Sequence, residues 1–180
     1  MKIRLYRFNT YFLAGLALAL LLAITSACTS SETKKKGYSK KDQASLRLYL
    51  EVNPDGSDRS GMITVGRTAP FQLNVEKKAF LTEHNIEHAS VVDTFGGFSI
   101  SIRYDKEGSW LLEQYSTANK GKRIAIVAEF GQVRWLAAPV IQQRLGDGLL
   151  VFAPDATREE SERIVSGLNR IAELIKSGSL

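Results

Sequence analysis

Residues Leu46-Arg-Leu-Tyr-Leu-Glu-Val52 alternate apolar and polar side chains, the period of a strand with one buried face. The same short-strand pattern recurs down the chain, and it commits most of this sequence to β-sheet. Asn53-Pro-Asp-Gly56 ends the first run with a strong turn signal. Met62–Val65 and Phe71–Val75 read as two further strands. Glu87–Asp93 and Phe98–Tyr104 flank Gly96-Gly97 and read as a hairpin. Arg123-Ile-Ala-Ile-Val-Ala-Glu-Phe130 is the most apolar run and is expected at the centre of a sheet; Val133–Leu136 and Leu149–Phe152 follow as strands.

Two segments break the alternation. Lys106–Asn119 has no proline and brings Trp110, Leu111, Leu112 and Tyr115 within helical reach of one another, with Gly121 placed to close a helix. Thr157-Arg-Glu-Glu160 has the form of a capping box. Ile164, Leu168, Ile171 and Ile175 follow at steps of four, three and four, one apolar helical face ending near Lys176. The expectation is an α+β domain over 44–180, a mostly antiparallel sheet with two helices packed on one face.

A different segment precedes this domain. Lys2, Arg4 and Arg7 stand before an apolar run from Phe12 to Ile24. A helix of that length spans roughly 20 Å, short of the ~30 Å hydrocarbon core of a bilayer. A basic start, a short apolar stretch and small residues at its end have the layout of a secretory signal over 1–27. Thr25-Ser26-Ala27-Cys28 resembles a bacterial lipobox, with Ala27 as the small residue before the cut and Thr25 in place of the usual Leu. That resemblance implies lipid attachment at Cys28, the sole cysteine. An exported protein with one free thiol is exposed to intermolecular oxidation, and acylation removes that exposure. An ordinary secretory signal and an uncleaved anchor helix are the alternatives. Residues 28–43 are polar and without apolar period, the composition of a flexible tether. Thr29, rather than aspartate, follows the cysteine, which resembles an outer-membrane address. The expected location is the bacterial cell envelope, on a membrane and outside the cytoplasm.

Charge excludes one class. The chain carries +5, but without Lys2, Arg4 and Arg7 it holds 21 basic against 19 acidic residues, and five of those lysines lie between Lys34 and Lys41. No basic face is left to drive binding to nucleic acid through counterion release. Chemistry is also poorly supported. His84 and His88 are four apart, but in the strand expected there such positions lie about 13 Å from each other. Glu159, Glu160 and Glu162 sit in a first helical turn, where they offset the helix dipole. No nucleophile has a recognisable base beside it, and the scattered glycines form no phosphate loop. No catalytic residue, metal or cofactor is expected. Phe95 and Phe130 flank glycine turns and are read as exposed loop-tip aromatics that contact a partner, whereas Trp110, Trp135 and Phe98 are expected mostly in the core.

The order of motifs from Gly108 to Ser161 resembles the head subdomain of the first periplasmic region of SecD and SecDF. Gly108, Leu112, Ser116 and Asn119-Lys120-Gly121-Lys122 stand at the family's spacing. Ile124–Val127, Ala137-Ala138-Pro139-Val140-Ile141, Gly148, Thr157, Glu159, Glu160 and Ser161 continue it, and Phe80–Ile86 resembles the segment leading into the family's hairpin. The turn Glu129-Phe130-Gly131 departs from the family's Asp-Gly, and the family's Gly-x-Leu-Pro after the last helix is missing. The family's proton-driven step lies in transmembrane helices, and none follows here before Leu180. The resemblance therefore implies a head domain on a lipid tether that binds other polypeptides near protein export or envelope assembly. Docking on one fixed envelope complex, and a small-ligand or enzyme domain reusing the fold, are the competing readings.

Overall fold

The computed structural model describes residues 43–56, 58–67 and 69–178. The signal over 1–27, Cys28 and the tether up to residue 42 lie outside the described residues. The chain runs β1 (Ser45–Leu50), β2 (Ser60–Val65), β3 (Phe71–Glu76), a 3-10 turn (Glu83–Asn85), β4 (Ile86–Thr94), β5 (Gly97–Tyr104), α1 (Lys106–Ala118), β6 (Ile124–Glu129), β7 (Val133–Ala137), β8 (Leu149–Phe152) and α2 (Arg158–Lys176). The α+β class is as the alternation predicts. Among the described residues the strands divide among three sheets, β1-β6-β7, β2-β3 and β4-β5-β8, each pair antiparallel.

One main core joins the first and third sheets to both helices. Leu46 and Leu48 of β1, Ile124 and Ile126 of β6, Ile100 and Ile102 of β5, Leu112 of α1, and Ile164 and Leu168 of α2 all belong to it. The opposite face of the first sheet is covered by the β2–β3 hairpin, where Val65, Leu73 and Val75 pack with Ala125 and Ala138. Strand β6 is thus buried on both faces, which is why Ile-Ala-Ile-Val-Ala shows no polar alternation. Tyr49 and Trp135 meet edge to face at 5.4 Å beside this smaller core.

Helix α2 begins with the expected capping box. The Glu160 amide donates to the Thr157 hydroxyl at 3.1 Å, and the Thr157 amide donates to the Glu160 carboxylate at 2.9 Å. Its buried face carries Ser161, Ile164, Gly167, Leu168, Ile171 and Ala172, while Ile175 is only half-buried. At Gly167 the start of β1 crosses the helix. A Cβ there would lie 2.7 Å from Ala44 Cβ and 2.8 Å from its amide nitrogen, so only glycine permits the crossing.

Helix α1 is capped by Asp105, whose carboxylate accepts from the Gly108 amide at 2.7 Å. Its buried line is Gly108, Leu112 and Ser116, at steps of four. A Cβ on Gly108 would come within 2.8 Å of Asn85 Cβ, so the glycine lets the helix approach the 3-10 turn. Trp110, expected in the core, lies away from this line and is 58% exposed. Tyr115 instead stacks on Phe80 at 4.2 Å.

Candidate functional site

The third sheet has two edges, and hydrogen-bond alternation determines what each presents. In an antiparallel ladder every second pair exchanges backbone bonds, and the residues between turn their N–H and C=O outward. The Tyr104 amide donates to the Gly148 carbonyl at 2.9 Å. Counting by two, Ile102 and Ile100 of β5 face Leu150 and Phe152 of β8. Their partners across β5 on the other side are Ala89 and Val91 of β4, which therefore face away from the sheet. On β8 the outward residues are Leu149 and Val151.

The β4 edge is capped from α2 at Ala89, whereas the outward groups of Val91 meet no partner among the described residues. Asn169 accepts from the Ala89 amide at 2.7 Å and donates its own amide to the Ala89 carbonyl at 2.8 Å. One side-chain amide thus takes up both outward groups of a residue that is only 1% exposed.

The β8 edge is not closed in this way. The Leu149 amide donates to the Asp147 carboxylate at 3.1 Å. The outward N–H and C=O of Val151 meet no partner among the described residues. The Val151 side chain is 48% exposed. Beside it runs a groove of about 370 Å³, lined by Pro139, Val140, Ile141, Leu145, Leu150 and Val151, together with Ile124 and the amides of Gln142 and Gln143.

The far wall of this groove is held in place. The Ile124 amide donates to the Pro139 carbonyl at 3.0 Å, and the Ile141 amide to the Lys122 carbonyl at 2.8 Å. The Arg123 guanidinium donates to the Ala138 carbonyl at 2.8 Å. The Leu145 amide donates to the Ser116 hydroxyl at 2.9 Å, which is the use of a buried serine on α1. No lining residue is titratable. A groove of mixed lining, with aliphatic side chains and the polar groups of Gln142 and Gln143, beside the unpaired backbone of Val151 suits an added extended strand whose main chain supplies the bonds.

The aromatics singled out in the sequence lie elsewhere. Phe95 stands fully exposed on the β4–β5 turn. At the base of that turn the Arg158 guanidinium pairs with Asp93 and lies 5.2 Å over the Phe98 ring. The loop-tip exposure expected of Phe130 is not found: the ring is 9% exposed. It lies under the guanidinium groups of Arg134 at 5.1 Å and Arg163 at 5.9 Å, which draw it against α2. The structure does not bring the two rings together, and neither lines the β8 groove.

The charged residues at the start of α2 form a brace. Arg134 of β7 donates to both oxygens of Glu160, at 3.1 and 3.0 Å. Arg67, from the β2–β3 turn, reaches Glu160 at 3.4 Å, and its amide donates to Asp155. The hydrogen bonds from Arg134, then that from the Thr157 amide, hold the Glu160 carboxyl down to about 2. It is a permanently ionised anchor rather than a proton donor. His84 lies in the 3-10 turn and His88 in β4. Among the described residues no group of three His, Cys, Asp or Glu side chains could hold a metal, and no helix is long and apolar enough to cross a membrane.

The model of the SecDF P1 head subdomain matches residues 60–180. The chain belongs to the SecDF P1 head subdomain family. Residues of this chain are 29% identical over 136 positions to the protein translocase subunit SecD of Rhodothermus marinus, covering 75% of this chain and 20% of the relative. They are 35% identical over 91 positions to the SecDF subunit of Thermus thermophilus, covering 51% of this chain and 11% of that one. The chain thus spans about a fifth or less of these two relatives. In fold it is similar to a SecDF structure described as a membrane component that enhances protein export (TM-score 0.52, 20% identity, 93% of this chain and 71% of that one). It is also similar to SecDF in its super-membrane-facing form (TM-score 0.52, 21% identity, 70% of this chain and 18% of that one). The P1 head match begins at Ser60, at the start of β2, so β1 precedes the matched region while its Leu46 and Leu48 fill the main core.

The β8 edge escapes a reading of the sequence alone. Leu149–Phe152 is legible as a strand, but which of its sides is paired depends on β5, far away in the chain. Asn169 leaves a faint signal, a lone amide beside the apolar stripe of α2.

Proposed function

We propose that this protein is a lipid-anchored module of the cell envelope that holds segments of other polypeptides in extended form, without chemistry, in support of protein export or envelope assembly. The observation that carries this reading is the open β8 edge at Val151 beside a groove of mixed lining with no titratable residue. A strand added there gains backbone bonds whatever its sequence, the kind of recognition needed for varied unfolded clients. Membership of the SecDF P1 head family, and likeness in fold to a component that enhances protein export, support the setting. In this reading residues 1–27 are the signal, Cys28 carries the lipid, and 28–43 are the tether that lets the head search near the membrane. Phe95 is a second apolar contact for the client, displaced from the groove.

The test is site-specific photocrosslinking in the full chain in intact cells, with the probe at Val151 and, as a control, at exposed Trp110. Adducts to several unfolded envelope polypeptides at Val151 alone are expected. Equal labelling at both sites, with no peptide bound more tightly than about 1 mM, would remove the binding reading.

A further inference from the structure

The groove beside β8 has a second backbone edge, which addition of a strand to β8 alone does not use. The Ile124 amide donates to the Pro139 carbonyl, and Ile141 donates to the Lys122 carbonyl and accepts from the Gly121 amide. These bonds make an antiparallel bridge between Arg123 and Val140 and turn Pro139 and Ile141 toward the chain entering β6. By the alternation of an extended chain, the N–H and C=O of Val140 point the other way. They meet no partner among the described residues, and Val140 is 40% exposed. Val140 and Val151 line the same groove. The two edges belong to one interrupted ladder. The Asp155 amide donates to the Leu136 carbonyl at 2.7 Å, which joins the chain after β8 to β7. Four positions on from Leu136 is Val140, and four back from Asp155 is Val151. An antiparallel ladder in that register pairs Val140 with Val151. Instead the Ala138 carbonyl is taken by the Arg123 guanidinium, and the groove lies where the Val140–Val151 rung would be.

We infer that the groove takes an extended polypeptide segment between its two walls, bonded to Val151 on one side and to Val140 on the other. This rests on the polypeptide-binding reading above and specifies its ligand: a main chain whose N–H groups are free along both edges. Successive residues of a strand turn their N–H and C=O to opposite sides, so one residue bonds to Val151 and its neighbour to Val140. Each wall presents a donor and an acceptor, and a main chain is the ligand that carries both on both sides. Its side chains stand above and below the plane of these bonds, so their identity matters little. The lining has no titratable residue to select for client charge. An inserted segment would also join β1-β6-β7 to β4-β5-β8 through the guest. Insertion therefore doubles the backbone bonds that a single edge offers, without asking more of the client sequence.

The experiment titrates the full chain with a short fluorescent peptide of alternating threonine and valine, and with the same peptide N-methylated at every second residue. In any register the modified peptide keeps one complete hydrogen-bonding edge and loses the other. The unmodified peptide is expected to bind, and alternate N-methylation to weaken it about tenfold or more. Amide exchange in the unmodified complex is expected to show new protection at both Val140 and Val151. Val140→Pro removes an N–H that no protein group uses, and it is expected to weaken the peptide about as much as Val151→Pro does, at a melting temperature close to that of the wild type. If that variant does not fold, the exchange measurement on the wild type decides the matter. Undiminished binding of the N-methylated peptide, or protection at Val151 alone, overturns insertion and leaves addition to one edge standing. Protection at neither residue, or no binding of either peptide, overturns insertion and the polypeptide-binding reading together.

Discussion

The two edges of the β4-β5-β8 sheet are chemically alike, but only one of them is capped by a side chain from another element. Each turns backbone N–H and C=O groups away from the sheet. At the β4 edge the outward groups of Ala89 are both taken by Asn169. At the β8 edge those of Val151 face a groove. An exposed strand edge is a template for another chain, and proteins that gain nothing from such pairing cover or charge it. In this domain a helix side chain takes up the outward groups of Ala89 on one edge, and Val151 on the other runs beside Val140, Ile141 and Leu150. It also keeps the open strand to four residues, which limits uncontrolled pairing. An unpaired residue on a short edge next to a groove with fixed walls is what the proposed strand addition requires.

The comparison breaks most severely if α2 is unseated, because the closed edge depends on that helix. Leu168 is 1% exposed in the main core, and Leu168→Ala is expected to cost about 2–5 kcal/mol by chemical denaturation. A loss below about 0.5 kcal/mol would place the buried face of α2 elsewhere.

The next effect is acid sensitivity at the brace. The folded pKa of Glu160 lies below its ordinary value of 4.5, at about 2. Its contribution is therefore complete above about pH 4.5 and is lost as pH falls through 2. The carboxylate sits near solvent, so after screening the shift corresponds to roughly 2 kcal/mol. Denaturation curves of Glu160→Gln should lie parallel to pH over that window where the wild type declines; an unchanged decline would assign it to other carboxylates.

Asn169→Ala tests the closed edge directly. It leaves the buried N–H and C=O of Ala89 unsatisfied and is expected to cost about 1–3 kcal/mol. Hydrogen exchange at the Ala89 amide should rise selectively, and unchanged protection there would mean that another group closes the edge.

The smallest effect on stability is expected at the open edge. Val151→Pro removes an N–H that no protein group uses, so it should cost about 1 kcal/mol or less. The same substitution should abolish polypeptide crosslinking at the groove. Loss of stability without loss of crosslinking would invert the comparison and show that the edge is structural.

Much of this was legible from local pattern. The β4–β5 hairpin around Gly96-Gly97, the capping box at Thr157 and the 4-3-4 spacing of α2 are written in neighbouring residues, and the structure contains each of them. Two aromatics differ from their local pattern for one reason. Trp110 stands in a row of three large residues, but Gly108, Leu112 and Ser116 are what let α1 approach the core. Phe130 precedes a glycine turn, but Arg134 and Arg163 cover it, and no rule of neighbours reports a guanidinium 33 positions away.

The sequence by itself determined the elements, the α+β class and the resemblance to the P1 head family, because periodicity, caps and turn chemistry act within a few residues. The tertiary structure alone decided which outward backbone groups are taken up. Asn169 and Ala89 are 80 positions apart, and whether a backbone group is paired or free is a property of what the fold brings beside it.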